Sequence, residues 1–197
     1  MDKRIQEDIK ILVIAGVISG LGMFLGGKIA ESITPVKQRV TTKVVYADSR
    51  QNYIDYELPK AAKGSFKTFM DYRTITDETS KQYALQRLAI TDENGLRKFN
   101  NRYIVAMGTY YSHYVGKEFV LTLDNSQEIN VIVGDIKQDI HTDVNRQYAR
   151  LTGNVVEFIV DEDKLPKKVL RTGDVSHLGL NGNITRIEEV ISKCTNI

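Results

Sequence analysis

Hydrophobic and polar positions follow two different patterns in this chain. Residues 11–27 form one apolar run without a charged side chain, whereas short apolar runs separated by polar turns follow beyond residue 66. The 17 residues of the first run span roughly 26 Å as a helix, close to the thickness of a bilayer core. Extension of this helix to Ala30 gives a full span. We therefore predict a cytoplasmic tail at 1–10, a transmembrane anchor at 11–30 and an exported remainder.

The same apolar run has a second interpretation. A cleaved secretory signal is the alternative, although residues 28–30 lack the small side chain that a cleavage site has two positions before its last residue. Gly16 and Gly20, and again Gly22 and Gly26, have the GxxxG spacing that lets two membrane helices approach closely. This spacing predicts self-association through the anchor, and the general enrichment of glycine in membrane helices is the other explanation.

Beyond the anchor, the apolar runs have the length and composition of strands. The run 103–107 is continuous, as expected for a buried strand, and 155–160 is predicted as another buried strand. Two further runs flank the turn at 124–127 and predict a hairpin. The predicted strands are 103–107, 119–123, 129–133, 155–160 and 184–190. Many short strands joined by turns are typical of a compact β-barrel.

Helical signals in the same region are short. Residues 77–89 predict one helix, and residues 165–170 predict a further helical turn. The segment 31–65 is interpreted as a stalk or linker, and its part 36–54 as either a strand or an extended stalk. The predicted organisation is a mainly β domain at 66–197, with one or two short helices, carried on that stalk.

Composition and charge narrow the classes of function. The net charge is +2 over 197 residues, and no basic stripe with interleaved aromatic residues is visible, so we expect no nucleic-acid partner. Cys194 is the only cysteine, so no disulfide can form within the chain. An exported protein without disulfides suits a bacterium with a single membrane. We expect no cofactor.

The most informative polar pattern lies between residues 135 and 143. Asp135, Lys137, Asp139, His141 and Asp143 occupy alternate positions. In a strand all five would share one face, and in a helix the three aspartates would share one side. Gathering like charges costs energy, so the cluster is a candidate for acid/base chemistry, for cation binding or for a polar ligand.

Two other interpretations of this cluster stay open. One is a solvated strand face on which Lys137 balances the aspartates. The other is a metal site with Asp135, Asp139, His141 and Asp143 as ligands. The spacing matches no zinc or calcium loop, because a second histidine and the turn glycine are lacking, and we expect no metal.

Tyr110, Tyr111 and Tyr114 form an aromatic cluster after the predicted strand at 103–107. Aromatic rings stack on the faces of sugars, so these tyrosines are candidates for lining a glycan groove, with Lys137 as a further binding residue. Core packing is the alternative for Tyr110 and Tyr111.

Four stretches of the chain resemble the double-psi β-barrel domains of bacterial cell-wall proteins. They are 103–111, 115–119, 134–143 and 153–160. These families include the three-aspartate domain proteins, membrane-bound lytic transglycosylase A, rare lipoprotein A and, more distantly, expansins. The chain looks most like a branch found in Gram-positive bacteria, their phages and mobile elements. The resemblance covers about residues 66 to 191.

The resemblance implies a six-stranded double-psi β-barrel that acts on peptidoglycan as a lytic transglycosylase-like enzyme. In these families an aspartate at the end of a barrel strand is the acid/base that acts on glycan, and Asp135 matches it. Asp143 or Asp139 would tune that aspartate. His141, a further candidate for binding substrate, forms with Asp143 a match to the His-x-Asp pair of expansin-like members.

The spacing inside the cluster departs from the family pattern. Three-aspartate proteins carry a longer glycine-rich link than the eight residues from Asp135 to Asp143. A second class of function therefore stays open, namely a non-catalytic cell-wall-binding or structural module of a phage, secretion or conjugation assembly. For the enzyme, we expect glycan strands as the partner and a single-pass membrane location with the C-terminal domain outside.

Overall fold

The computed structural model describes residues 52–191. The predicted tail, the predicted anchor with its GxxxG pairs, most of the predicted stalk and Cys194 lie outside these residues. Among residues 52–191, no helix is long and apolar enough to cross a membrane.

The described chain folds into nine strands and two α-helices. The helices are α1 (Lys81–Leu88) and α2 (Lys167–Thr172), and several single turns of 3-10 helix join the elements. The strands are β1 (Asn52–Tyr56), β2 (Thr68–Asp71), β3 (Ile90–Thr91), β4 (Arg97–Phe99), β5 (Arg102–Met107), β6 (Glu118–Leu123), β7 (Glu128–Ile136), β8 (Val156–Val160) and β9 (Ile184–Ile191).

All nine strands belong to one mixed sheet. Its main path runs β1-β9-β6-β7-β5-β4-β3, and β8 branches from β5 and carries β2. The β5–β7 and β2–β8 pairs are parallel, while the other pairs are antiparallel. The prediction of a mainly β domain with one or two short helices is confirmed. The sheet is not the expected closed ring of six strands, because β1 and β3 end its path without pairing with each other.

The five sequence-predicted strands are all present, as β5 to β9. The predicted hairpin is confirmed by the antiparallel pairing of β6 with β7. The helix predicted at 77–89 is shorter, because Ser80 forms the N-cap: its hydroxyl accepts a hydrogen bond from the Tyr83 amide at 3.0 Å.

The sheet buries apolar side chains on both faces. A large cluster on one face includes Met107, Phe119 and Phe158, all fully buried. A smaller cluster on the other face forms where Leu85 of α1 packs against Ile104 and neighbouring isoleucines of β7 and β8. The helix covers only part of this second face, and the uncovered part holds the polar residues described below.

Strand β1 lies inside the segment that the sequence predicts as a stalk. It pairs with β9 over five residues, from Asn52 opposite Ile191 to Tyr56 opposite Ile187. The Tyr56 hydroxyl also donates to Glu189 at 2.7 Å, and Lys117 Nζ lies 2.8 Å from the same carboxylate. Residues 52–56 are therefore part of the sheet.

Candidate functional site

Strand β5 carries two acidic neighbours in one row of the sheet. Ala106 pairs with Asp135 of β7 on one side and with Glu157 of β8 on the other. Paired residues project from the same face, so the two carboxylates stand two strand spacings apart, about 9–10 Å between Cα atoms. The methyl group of Ala106 leaves open space between them. Thr68 of β2 continues the row beside Glu157.

A β-bulge places Asp135 in this row. Val105 pairs with Val133, but the next residue, Ala106, pairs with Asp135 and skips Gly134. Without the extra residue, Asp135 would align with Met107 and face the larger buried cluster, because a one-residue slip exchanges the faces of a strand. Gly134 is required here: a Cβ atom would lie 2.1 Å from Cγ2 of Ile104.

The row forms the floor of an open cleft of about 640 Å³. Its lining is mostly polar and comes from the ends of β2, β5, β7 and β8, from α1 and from the loop between β7 and β8. The residues that line it are Thr68, Met70, Gln82, Ala106, Asp135, Ile136, Lys137, Gln138, His141, Ala149, Arg150, Leu151, Thr152, Asn154 and Glu157.

Asp135 is a half-buried carboxyl group whose pKa lies above its ordinary value. Burial is the main cause of the increase, and the negative charge of Glu157 adds to it. Hydrogen bonds from the Ile136 amide and the Gln82 side chain, together with the charge of Lys137, oppose the increase without cancelling it. A raised pKa keeps a larger fraction of Asp135 protonated, as a general acid requires.

Glu157 differs from Asp135 in having a cation beside it. Lys137 Nζ lies 2.8 Å from Glu157 Oε2, and the side chain of Lys137 is only 7% exposed. The ion pair with the lysine fixes the position of that carboxylate. The two carboxyl groups of the cleft therefore differ in their neighbours: Asp135 lies near the negative charge of Glu157, whereas Glu157 is paired with Lys137.

The rim of the cleft is built by the loop between β7 and β8. His141 and Arg150 are exposed there, and the Arg150 amide donates to the His141 carbonyl at 2.9 Å. At the other wall, the buried side chain of Asn154 donates to Thr68 Oγ1 at 2.5 Å and to the Val156 carbonyl at 2.8 Å. Polar groups of the wall are thus held in place, while those of the rim face solvent.

Two aspartates of the predicted cluster lie outside the cleft. Asp139 accepts from Thr109 Oγ1 at 2.7 Å and forms an ion pair with Arg146 at 2.8 Å. Asp143 accepts hydrogen bonds from three backbone amides of its own loop, those of Asn145, Gln147 and Tyr148. Burial alone would raise the pKa of Asp143, but these bonds outweigh it, and the pKa lies below the ordinary value.

The segment 135–143 is neither a single strand nor a single helix. Strand β7 ends at Ile136, and Asp139–His141 form a single turn of 3-10 helix. Farther along, the carboxylate of Asp143 accepts the amides that follow it and shapes the next turn of the loop, as aspartates do in turns. The cleft brings together Asp135, Lys137 and His141 of the five.

The three candidate tyrosines lie outside the cleft as well. Tyr111 is 1% exposed and packs in the core against Phe119 and Tyr56, the alternative expected for it. Burial strongly raises the pKa of its hydroxyl. Tyr110 and Tyr114 are exposed, and Tyr110 stacks edge-on against Tyr111 with 5.1 Å between ring centroids.

Sequence reasoning missed Glu157 and Gln82. Glu157 stands inside the apolar run 155–160, where a lone carboxylate in an otherwise buried strand was a signal that went unused. Gln82 lies in the first turn of α1, and nothing in its sequence neighbourhood indicates contact with Asp135. Within residues 52–191, no three side chains of histidine, cysteine, aspartate or glutamate lie close enough together to hold a metal ion.

Comparison with known proteins gives no relative for this chain: no protein-family model, no curated protein and no solved structure matches it. The floor of the cleft offers one carboxyl group of raised pKa, one carboxylate paired with lysine, and room for a polar ligand.

Proposed function

We propose that this chain cleaves cell-wall glycan, with Asp135 as the general acid and base of a lytic transglycosylase-like reaction. The observation that carries the proposal is the placement of Asp135: a half-buried carboxyl group of raised pKa on the floor of an open polar cleft of about 640 Å³. General acids of this kind gain their pKa from burial and from neighbouring negative charge, as Asp135 does.

The reaction uses one carboxyl group twice. Asp135 donates its proton to the glycosidic oxygen as the bond between that oxygen and the anomeric carbon breaks. The anomeric carbon then takes a bond from a hydroxyl group of the same sugar, and Asp135 accepts the proton of that hydroxyl. The product is an anhydro-sugar, no water is consumed, and Asp135 ends protonated as it began. The carboxylate of Glu157 stabilises the positive charge that develops at the anomeric carbon.

Hydrolysis is the other reaction that two carboxyl groups can support. In an inverting glycosidase a second carboxylate activates water, and the two carboxyl groups stand roughly 6.5–9.5 Å apart. The two-strand spacing of Asp135 and Glu157 is compatible with this distance. The pairing of Glu157 with Lys137 favours the transglycosylase reaction, because one oxygen of this carboxylate is already bound to the lysine ammonium group.

A non-catalytic cell-wall-binding or structural module is the second candidate. It is favoured by the positions of Asp139 and Asp143, which are held in local contacts away from the cleft, and by the exposed Tyr110 and Tyr114. Such a module would retain glycan without releasing fragments.

The proposal includes a membrane-anchored location outside the cell, with peptidoglycan as partner, and a relationship to the double-psi families. The apolar run at 11–27 supports the location. The acidic residue at the end of β7 supports the relationship, whereas the open nine-stranded sheet departs from a closed barrel. The functional proposal therefore rests on the cleft more than on the fold.

The test is incubation of the full chain with purified cell walls, followed by mass spectrometry of the soluble products. Fragments with anhydro ends support the transglycosylase reaction, and fragments with reducing ends support hydrolysis. Retention of the protein on the walls without any released fragment supports the non-catalytic module and contradicts the enzyme.

A further inference from the structure

Two asparagine–glycine pairs lie in turns of this fold, and their surroundings differ. Asn94–Gly95 belongs to the turn between β3 and β4, and Asn181–Gly182 belongs to the turn that leads into β9. An asparagine before a glycine can lose ammonia spontaneously, because the glycine has no side chain to hinder attack of its amide nitrogen on the asparagine side chain. The reaction needs a peptide N–H group that is free to lose its proton.

Gly182 has such a free N–H group. Its amide has no hydrogen-bond partner among residues 52–191, and the preceding side chain, that of Asn181, is exposed to solvent. The carbonyl oxygen of the same peptide group accepts a hydrogen bond from Asn125 Nδ2 at 2.9 Å. A donor at this oxygen stabilises the negative charge that the peptide group carries once its nitrogen has lost the proton. The turn therefore favours formation of the nucleophile.

Gly95 is enclosed by comparison. It is buried, and its amide donates to the Asp92 carbonyl at 3.1 Å, while Asn94 is only half-exposed. The carboxylate of Asp92 also accepts hydrogen bonds from the amides of Asn94 and Leu96. Attack by the Gly95 nitrogen would first have to break this turn. The chain thus contains a protected pair with the same two residue types as the accessible pair.

The turn at Asn181 also holds a buried charge. Lys67 is fully buried, and its ammonium group donates to the carbonyl of Gly182 at 2.8 Å and to those of Gly64 and Ser65 at 3.3 Å each. Three carbonyl oxygens match the three N–H donors of the lysine. Gly182 supplies the shortest of these bonds. A change of backbone length at residue 181 would therefore leave a buried cation with an unmade hydrogen bond.

We propose that Asn181 is a site of spontaneous isoaspartate formation, and that this modification weakens the anchoring of Lys67. The Gly182 nitrogen loses its proton to solvent and bonds to Cγ of Asn181. The bond from Cγ to the side-chain nitrogen breaks, and that nitrogen takes up a proton and leaves as ammonia. Water then opens the cyclic imide. Opening at the backbone carbonyl carbon routes the chain through the former side chain and lengthens it by one carbon atom, whereas opening at Cγ gives an ordinary aspartate.

The test follows the unmodified full chain during incubation in mildly alkaline buffer, with peptide mapping by mass spectrometry to count aspartate and isoaspartate at both pairs. Asn181 should react roughly tenfold faster than Asn94, because the Gly95 amide must first break its hydrogen bond. In concentrated urea both turns are open, and the two rates should agree within about threefold. This comparison needs no substitution.

Two alanine variants of the turn between β6 and β7 isolate the contact with the Asn181 carbonyl. Asn125→Ala removes the donor to this oxygen and should slow the reaction at Asn181 several-fold. Gln127→Ala is the matched control, because the Gln127 side chain donates to the nearby Gly179 carbonyl at 2.9 Å. Its loss should leave the rate at Asn181 within about twofold.

The effect on Lys67 is measured by urea denaturation before and after incubation. The incubated chain should unfold at a lower urea concentration, whereas Asn181→Gln should keep its midpoint, because the longer side chain forms its ring far more slowly. Equal rates at Asn181 and Asn94 in the folded chain, or a rate difference that persists in urea, overturn the proposal. So does equal slowing in the Asn125 and Gln127 variants, or an unchanged midpoint in a chain that carries isoaspartate. None of these readouts depends on glycan release.

Discussion

Asp135 and Glu157 both pair with Ala106, one from each side of strand β5. This shared partner places the two carboxyl groups on one face of the sheet, with a small residue between them. Burial and the neighbouring carboxylate give Asp135 a raised pKa, while Lys137 pairs with Glu157.

Glu157→Gln should lower the pKa of Asp135. The substitution removes a negative charge that raises this pKa and leaves the positive charge of Lys137 without its carboxylate. A general acid must be protonated, so activity is lost as pH rises through its pKa. The falling limb of the pH–rate profile should therefore move to lower pH. If the falling limb does not move, the charge of Glu157 does not affect the pKa of Asp135, and the prediction is wrong.

Gln82→Leu should shift the same limb in the opposite direction. The Gln82 side chain donates a hydrogen bond to Asp135 and thereby lowers its pKa. Without that bond the protonated form persists to higher pH, and the falling limb should move upward. The matched control is Gln138→Leu, which alters an exposed residue of the cleft that is not among the groups shifting Asp135. A shift in the control as large as in the variant would contradict this account.

Gly134→Ala should destabilise the fold by roughly 1–3 kcal/mol, because the new Cβ would lie 2.1 Å from Ile104 Cγ2. Urea denaturation measures this loss. The same substitution should cost less in an Ile104→Ala background, where the opposing atom is absent. Additive losses in the double variant would mean that the glycine is required for another reason.

Asp71→Asn should reduce stability at neutral pH and have no effect in strong acid. Arg73 and the Glu162 amide hold the pKa of Asp71 at about 2, below the ordinary value of 3.8. Its stabilising contribution is present above pH 3.8 and is lost as pH falls through about 2. We expect a loss of about 1–2 kcal/mol at pH 7, reduced because Arg73 is partly exposed.

Asp163→Asn is the control for this prediction, since Asp163 pairs with the same arginine but is 75% exposed. Its effect on the free energy of unfolding should be close to zero at every pH. Denaturation curves of both variants between pH 2 and pH 7 distinguish the two aspartates. A difference between Asp71→Asn and the unmodified chain that persists undiminished at pH 2 would contradict the assignment.

The sequence predicts the strands well because their signals are local. The run that became β5 is apolar from Tyr103 to Met107, and the run that became β8 is apolar except for Glu157; such runs form buried strands wherever the sheet places them. The pairing partners are not local. Nothing near residue 106 indicates that Ala106 lies between β7 and β8, so the sequence could not supply the open, branched sheet.

The residues of the candidate site also differ in whether local sequence signals indicate them. Asp135 follows an apolar run, and its position at a strand end could be read from the sequence. The sequence does not indicate that Glu157 lies near Asp135, because this proximity depends on the register of two strand pairs and on the bulge at Gly134. The pattern of alternate residues grouped Asp143 with Asp135, but the carboxylate of Asp143 shapes a turn of the loop outside the cleft.

The central claim is that Asp135 performs the chemistry, and its most direct test compares two conservative variants of the full chain. Asp135→Asn removes the carboxyl group that donates the proton to the glycosidic oxygen. Asp139→Asn changes an aspartate that lies outside the cleft and is paired with Arg146. The measurement is the initial rate of soluble fragment release from purified cell walls. The account predicts that Asp135→Asn lowers this rate by about 10²- to 10⁴-fold and that Asp139→Asn leaves it within about twofold. Equal rates for Asp135→Asn and the unmodified chain would contradict it.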